Sequence, residues 1–139
     1  MRTRTGYRSN AGKSTPAAAG GSWIRPEKRL AIYARDGFCC AFCGAHVRDG
    51  ARLSIDHIDA AENGGTNEDE NLVTVDLSCN SAKQDLSMRG WLAYLRAKGI
   101  DTTGMAARVR AQARRPIDRN LGKTLYAAHG VAGACKLAA

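Results

Sequence analysis

The chain has 139 residues, with 21 Lys and Arg against 13 Asp and Glu and a formal net charge of +8. Such a surplus, with a pI of about 9.6, points to nucleic acid or another polyanion as partner. The length suits one modest domain with tails. No stretch is long and apolar enough to span a membrane, and no secretory core appears. The five cysteines, an odd number, argue against a disulfide framework.

Residues 1–22 read as a flexible basic arm, poor in large apolar side chains and carrying Arg2, Arg4, Arg8 and Lys13. The arm lacks the amphipathic apolar face of a transit peptide. Its Gly12-Lys13-Ser14 is like the end of a phosphate-binding P-loop, but the earlier Gly6 is one residue out of register and no strand precedes it. Trp23-Ile24 is the expected first anchor. Proline near the start, then Leu30, Ile32 and Tyr33, predict a short helix over Pro26–Arg35, ended by Gly37. Cys40 and Cys43 mark a turn, and the alternation from Leu53 to Ile58 predicts a strand. Asn63-Gly64-Gly65 reads as a loop facing the nucleic acid, and Val73–Val75 as a short second strand. One helix is expected from about Ser78 to Lys98, stopped by Gly99, with Trp91, Leu92 and Leu95 as a core stripe. Gly104–Arg115 predicts another, with Met105, Val109 and Gln112 at helical spacing, broken by Pro116. Leu121–Leu137 is weakly patterned, and His129 within it reads as a surface residue.

The chemistry concentrates around Asp56 and His57, where the alternating stretch ends. Phosphodiester hydrolysis needs an activated water, a cation on the developing negative charge, and in-line geometry. Histidine suits the base near neutral pH. A carboxylate with an amide oxygen suits a hard cation such as magnesium. Neighbouring strand residues point to opposite faces. Both side chains can serve one site only if the strand bends or ends there, and the Ile58-Asp59 exit fits that.

The stretch Arg35–Asp85 reads RDGFCCAFCGAHVRDGARLSIDHIDAAENGGTNEDENLVTVDLSCNSAKQD, and it resembles the HNH endonuclease family. The resemblance implies an α+β fold: a small ββα-metal core with a zinc-knuckle-like cysteine cluster, flanked by helices and basic tails. It makes His57 the general base, Asp56 a metal ligand, and Asn71 the residue that holds the histidine ring by a hydrogen bond. Asn80 becomes the second ligand of a catalytic Mg2+ or Mn2+. Lys83, one turn beyond Asn80, is placed on a phosphate. The division that follows is 1–22 arm, 23–98 nuclease domain, and 99–139 basic helical extension.

Family members with a zinc knuckle often carry a second Cys-x-x-Cys before the final asparagine. Here Asp76 stands where its first cysteine would be. The candidate structural Zn2+ site is therefore Cys40, Cys43 and Cys79 with Asp76, and Cys39 or His46 are alternatives for the fourth position. The competing state is a lost site in which the cysteines pack as small hydrophobes. Cys135 reads as a free thiol.

Charge is unevenly spread. Asp56, Asp59, Glu62, Glu68, Asp69 and Glu70 crowd the centre, while Arg108, Arg110, Arg114, Arg115, Arg119 and Lys123 load the C-terminal segment. An acidic cation site between basic flanks suits an enzyme gripping a DNA backbone. Arg108, Arg110, Arg114 and Arg115 are expected to meet successive phosphates. The leading expectation is a metal-dependent DNA endonuclease, monomer or homodimer, like the stand-alone members in phages and mobile elements, working in the cytoplasm with no membrane partner. The alternatives are a non-catalytic, zinc-stabilised DNA-binding module and a zinc-stabilised protein-interaction module.

Overall fold

The computed structural model describes residues 23–60 and 64–139. The basic arm 1–22 with its Gly12-Lys13-Ser14 motif, and Glu62 and Asn63 of the central loop, lie outside the described residues. Helix α1 (Pro26–Arg35) starts on proline, has Glu27 in its first turn and Arg35 in its last, and ends at Asp36. All three features suit a helix and its dipole. The chain then reverses through Gly37 and Phe38, both at positive φ.

Strand β1 (Leu53–His57) pairs antiparallel with β2 (Leu72–Asp76). The register sets Leu53 opposite Asp76 and His57 opposite Leu72. The hairpin is covered on both faces. Val73 and Val75 join Cys40, Phe42, Ile58, Met88, Trp91, Met105 and Val109 in one core. Leu53, Ile55 and Leu72 join Leu30, Ile32, Tyr33 and Ala134 in the other. The period-two alternation of the strands divides their side chains this way.

Directly after β2 comes α2 (Leu77–Lys83), followed by α3 (Met88–Ala97), α4 (Met105–Ala113) and α5 (Arg119–Ala138). The single helix expected from Ser78 to Lys98 is two helices. Gln84 takes a positive φ, and Ser87 starts a new helix by accepting a hydrogen bond from Gly90 N. An N-cap side chain of this kind contributes about 1 kcal/mol, so a local signal overrides the apolar periodicity. The weakly patterned C-terminal segment is the long helix α5, kinked at Gly130, and His129 is exposed on it. At Gly122 α5 crosses α1 so closely that a Cβ would overlap the Glu27 carbonyl. Met105, Val109 and Ala113 of α4 and Ala134 of α5 complete the two cores, so residues 99–139 share their interior with residues 23–98.

A buried ion pair fastens these layers. The Arg35 and Asp36 side chains are 2% and 0% exposed and meet at 2.8 Å. Arg35 also donates to the Leu72, Asp69 and Ala113 carbonyls, and Asp36 accepts from Thr74 N. Such a pair is tolerated inside because its remaining polar atoms are satisfied.

Candidate functional site

Polar groups gather at both ends of the hairpin. At the Leu53–Asp76 end, the turn after Cys40 is closed by Gly44 N donating to Cys40 O, and Ala41 N donates to Thr74 O. These bonds set Cys40 and Cys43 beside the end of β2. Asp76 ends that strand and caps α2, its Oδ1 accepting from Cys79 N at 2.7 Å. Its other oxygen, Oδ2, accepts from the Cys43 thiol at 2.7 Å. The ligand atoms of Cys40, Cys43, Asp76 and Cys79 all lie within 4.8 Å of one another. Tetrahedral zinc, with Zn–S near 2.3 Å, needs donor atoms roughly 3.4–3.8 Å apart. A small contraction would bring these four groups onto one ion.

The protons follow the same logic. The Cys79 thiol donating to it is the largest influence on Cys40, and it draws that thiol well below its ordinary range despite burial. Burial, then the Asp76 carboxylate, pushes the Cys43 thiol up. Its bond to Cys40, then burial, pushes Cys79 up. Burial alone would raise Asp76, yet the donors around it, led by the Cys43 thiol and Cys79 N, hold it below the usual carboxylate range. Without metal, protons bridge the donors, so the set fits a cation that displaces them. The alternative ligands are engaged elsewhere. The Cys39 thiol donates to Asp36 O, and His46 Nδ1 accepts from Arg48 N. Cys135 is a half-buried free thiol.

The other end carries Asp56 and His57. From the thiol cluster, α2 spans roughly 10 Å and brings Lys83 back to this dipeptide. Lys83 is 1% exposed. Its Nζ lies 2.9 Å from Asp56 Oδ2 and donates to the His57 carbonyl at 3.1 Å. The expectation that Lys83 sits on a phosphate is therefore corrected: burial against β1 leaves its ammonium only the Asp56-His57 pair to satisfy. The ion pair lacks hydrogen-bond alignment, and Asp56 Oδ2 is buried without a hydrogen bond. Among the described residues that oxygen is therefore met by the charge of the Lys83 ammonium alone. Asn80 is half-buried on α2, one turn before Lys83, which puts both on one face of the helix.

Asn71 does not hold the histidine ring. Its Oδ1 accepts from Asp59 N at 2.9 Å, and its Nδ2 donates to Asp59 O and Thr66 O at 3.0 and 2.7 Å. Buried carboxamides take the unpaired main-chain groups beside them, and here those belong to the loop leaving His57. Gly65 completes that closure, since a Cβ there would overlap the Asp59 carbonyl. The ring is met instead by two residues that sequence reading gave no role at the site. Asn67 Oδ1 lies 2.7 Å from His57 Nε2. Trp23 stacks on the ring with centroids 4.8 Å apart and planes 29° apart. No local sequence signal marks either one, because only the folded loop and the approach to α1 bring them to His57.

The C-terminal arginines do not share one face. Around the buried stripe Met105, Val109 and Ala113, helical spacing puts Arg108 and Arg110 on opposite flanks of α4, and Arg114 and Arg115 follow the end of the helix at Ala113. Arg110 already meets Asp59 at 3.4 Å. Asp69 is paired by Lys28 at 3.1 Å and by Arg119 at 3.3 Å. Much of the acidic centre is thus neutralised from within. No helix of the described residues is long and apolar enough to cross a membrane.

Comparison with known proteins bears on one segment. No curated protein and no solved structure matches the chain. Residues 40–86 match the family model of HNH endonuclease, a family generally of nucleases acting on DNA, which suggests a metal-binding nuclease domain here. The match spans both ends of the hairpin, the four-ligand cluster and the Asp56-His57 pair alike, so the similarity to HNH endonuclease covers residues 40–86 of the chain.

Proposed function

We propose that this protein is a metal-dependent DNA endonuclease in which His57 takes a proton from the attacking water. The observation that carries this reading is the meeting of Asp56, His57 and Lys83 where β1 ends, inside the segment matched as HNH. The Asp56 carboxylate and the Asn80 carboxamide oxygen are the groups that would hold Mg2+ or Mn2+. When bound, the cation supplies charge neutralisation on the phosphate. Lys83 pins the Asp56-His57 dipeptide to α2. Asn71 closes the following loop, so that His57 leaves the strand in a fixed direction. Cys40, Cys43, Asp76 and Cys79 would hold a structural Zn2+ that fastens the start of α2. The proposed units are the arm 1–22, the nuclease domain 23–98 and the basic extension 99–139, the last adding affinity for the DNA backbone through arginines.

A second reading has one specific observation behind it. Lys83 Nζ stands 2.9 Å from Asp56 Oδ2, where it competes with a cation, as a non-catalytic zinc-stabilised DNA-binding module would allow. The deciding experiment incubates purified protein with supercoiled plasmid and magnesium or manganese, with and without chelator. Chelator-sensitive nicking that His57→Ala abolishes supports the nuclease. DNA binding with no nicking under any metal supports the binding module.

A further inference from the structure

His57 is immobilised on two sides by groups from separate parts of the chain. Trp23 covers one face of the imidazole, and Asn67 Oδ1 sits at the Nε2 edge. The loop that presents Asn67 is itself tethered. Lys28 of α1 donates to the Asn67 carbonyl at 2.9 Å and pairs with Asp69. Arg119, at the start of α5, holds the same Asp69, and Arg35 donates to the Asp69 carbonyl. Thr66 and Asp69, on either side of Asn67, are thus tied down by Asn71, α1 and α5. Nδ1 of His57 has no hydrogen-bond partner among the described residues.

A carboxamide oxygen can only accept, so the ring nitrogen facing it carries the hydrogen. A neutral imidazole with hydrogen on Nε2 has its lone pair on Nδ1. We infer that Asn67 and Trp23 form a positioning clamp on His57: Asn67 selects the Nε2–H tautomer, Trp23 fixes the ring plane, and Nδ1 is the nitrogen that accepts the proton from water. Asn67 and Trp23 act through the ring in this arrangement. The clamp rests on the nuclease reading for its purpose, but its geometry is measurable without cleavage.

The test records long-range 1H–15N spectra of the three histidines in the full-length protein at alkaline pH, where imidazole is neutral. His57→Gln identifies the His57 signals. The pattern expected for His57 is Nε2–H in the wild type. Asn67→Asp keeps acceptor oxygens and removes the donor, so it should retain that pattern. Asn67→Leu removes the acceptor. It should give mixed tautomers and lower kcat by roughly 10- to 100-fold with little change in KM, the scale of a displaced catalytic group. Trp23→Ala should broaden the ring signals and lower kcat in the same direction. An Nδ1–H tautomer in the wild type overturns the inference, and so does an Asn67→Leu variant with unchanged tautomer and kcat. If the wild-type protein fails to cleave DNA under any divalent metal, the nuclease reading falls, and the ring spectra still decide the clamp.

Discussion

At the Leu53–Asp76 end of the hairpin, three thiols and a carboxylate converge within 4.8 Å from the Cys40 turn, the end of β2 and the start of α2. At the His57–Leu72 end, Asp56 and His57 are half-buried. Their neighbours are Lys83 on α2, Asn67 in a loop and Trp23 ahead of α1. The first end is a closed set of donors for one ion, as a structural site requires, while a catalytic site must keep positions open. The second end has its side chains fixed by neighbours that are not ligands and leaves an Asp56 oxygen without a hydrogen bond. α2 joins the two, with Cys79 and Asn80 adjacent near its start and Lys83 at its end. Seven residues of helix thus separate the two ends.

The sharpest way to break this contrast is at His57. His57→Ala should lower plasmid cleavage by about 10²- to 10⁴-fold, the range of a lost general base, with folding and DNA binding nearly intact. Cleavage at the wild-type rate would remove the catalytic end from the comparison altogether. Asp56→Ala and Asn80→Ala come next. Each should raise the magnesium or manganese needed for half-maximal cleavage or abolish cleavage, because each is a proposed oxygen ligand. An unchanged metal titration in both would show that Asp56, already paired with Lys83, has no cation to hold.

The thiol end is tested by composition and stability. Elemental analysis should find about one zinc per chain, and Cys43→Ser should lower both zinc content and thermal midpoint, since metal binding here is also folding energy. Asp76→Asn keeps the helix cap but weakens the fourth ligand, so it should lose zinc more readily than it loses α2. Zinc retention should fall as pH falls. Cys43 and Cys79 hold their protons tightly, and acid favours those protons over the metal. A folded protein that carries no zinc would make this cluster a packed remnant.

The smallest effects belong to the basic extension. Replacing Arg108, Arg110, Arg114 and Arg115 with alanine should weaken binding on every DNA sequence. It should also flatten the salt dependence, by up to about 0.9 in slope for each phosphate that is no longer neutralised. Cleavage at saturating DNA should change little. Splitting the set separates the arginine that pairs with Asp59 from those in no ion pair of the described residues. Arg110→Ala with Arg114→Ala also frees Asp59 beside the site, whereas Arg108→Ala with Arg115→Ala disturbs no ion pair of the described residues. A wild-type salt slope in the quadruple variant would mean that α4 does not touch the backbone.

Much was readable along the chain because its signals are local. Proline and glycine bracket α1 as Pro26 and Gly37 predict. The alternation at Leu53–Ile58 and the apolar run near Val73 give the two strands to within a residue or so of Leu53–His57 and Leu72–Asp76. The spacing of Cys40 and Cys43, with Asp76 and Cys79 three apart, names the cluster that folding then assembles. Those signals survive because turn chemistry, side-chain alternation and ligand spacing act over a few residues. What depended on separation in sequence was decided only by the fold. Asn67 reaches the His57 ring ten residues away, and Asn71 turns from that ring to the loop backbone. Lys83 is buried by the path of α2 and not by its own chemistry. Periodicity also ran α2 and α3 together, since an apolar stripe does not register one residue at positive φ and one serine cap. Partners for buried polar groups are chosen by which main-chain donors and carbonyls the tertiary packing leaves unsatisfied, and no short stretch of sequence records where those will fall.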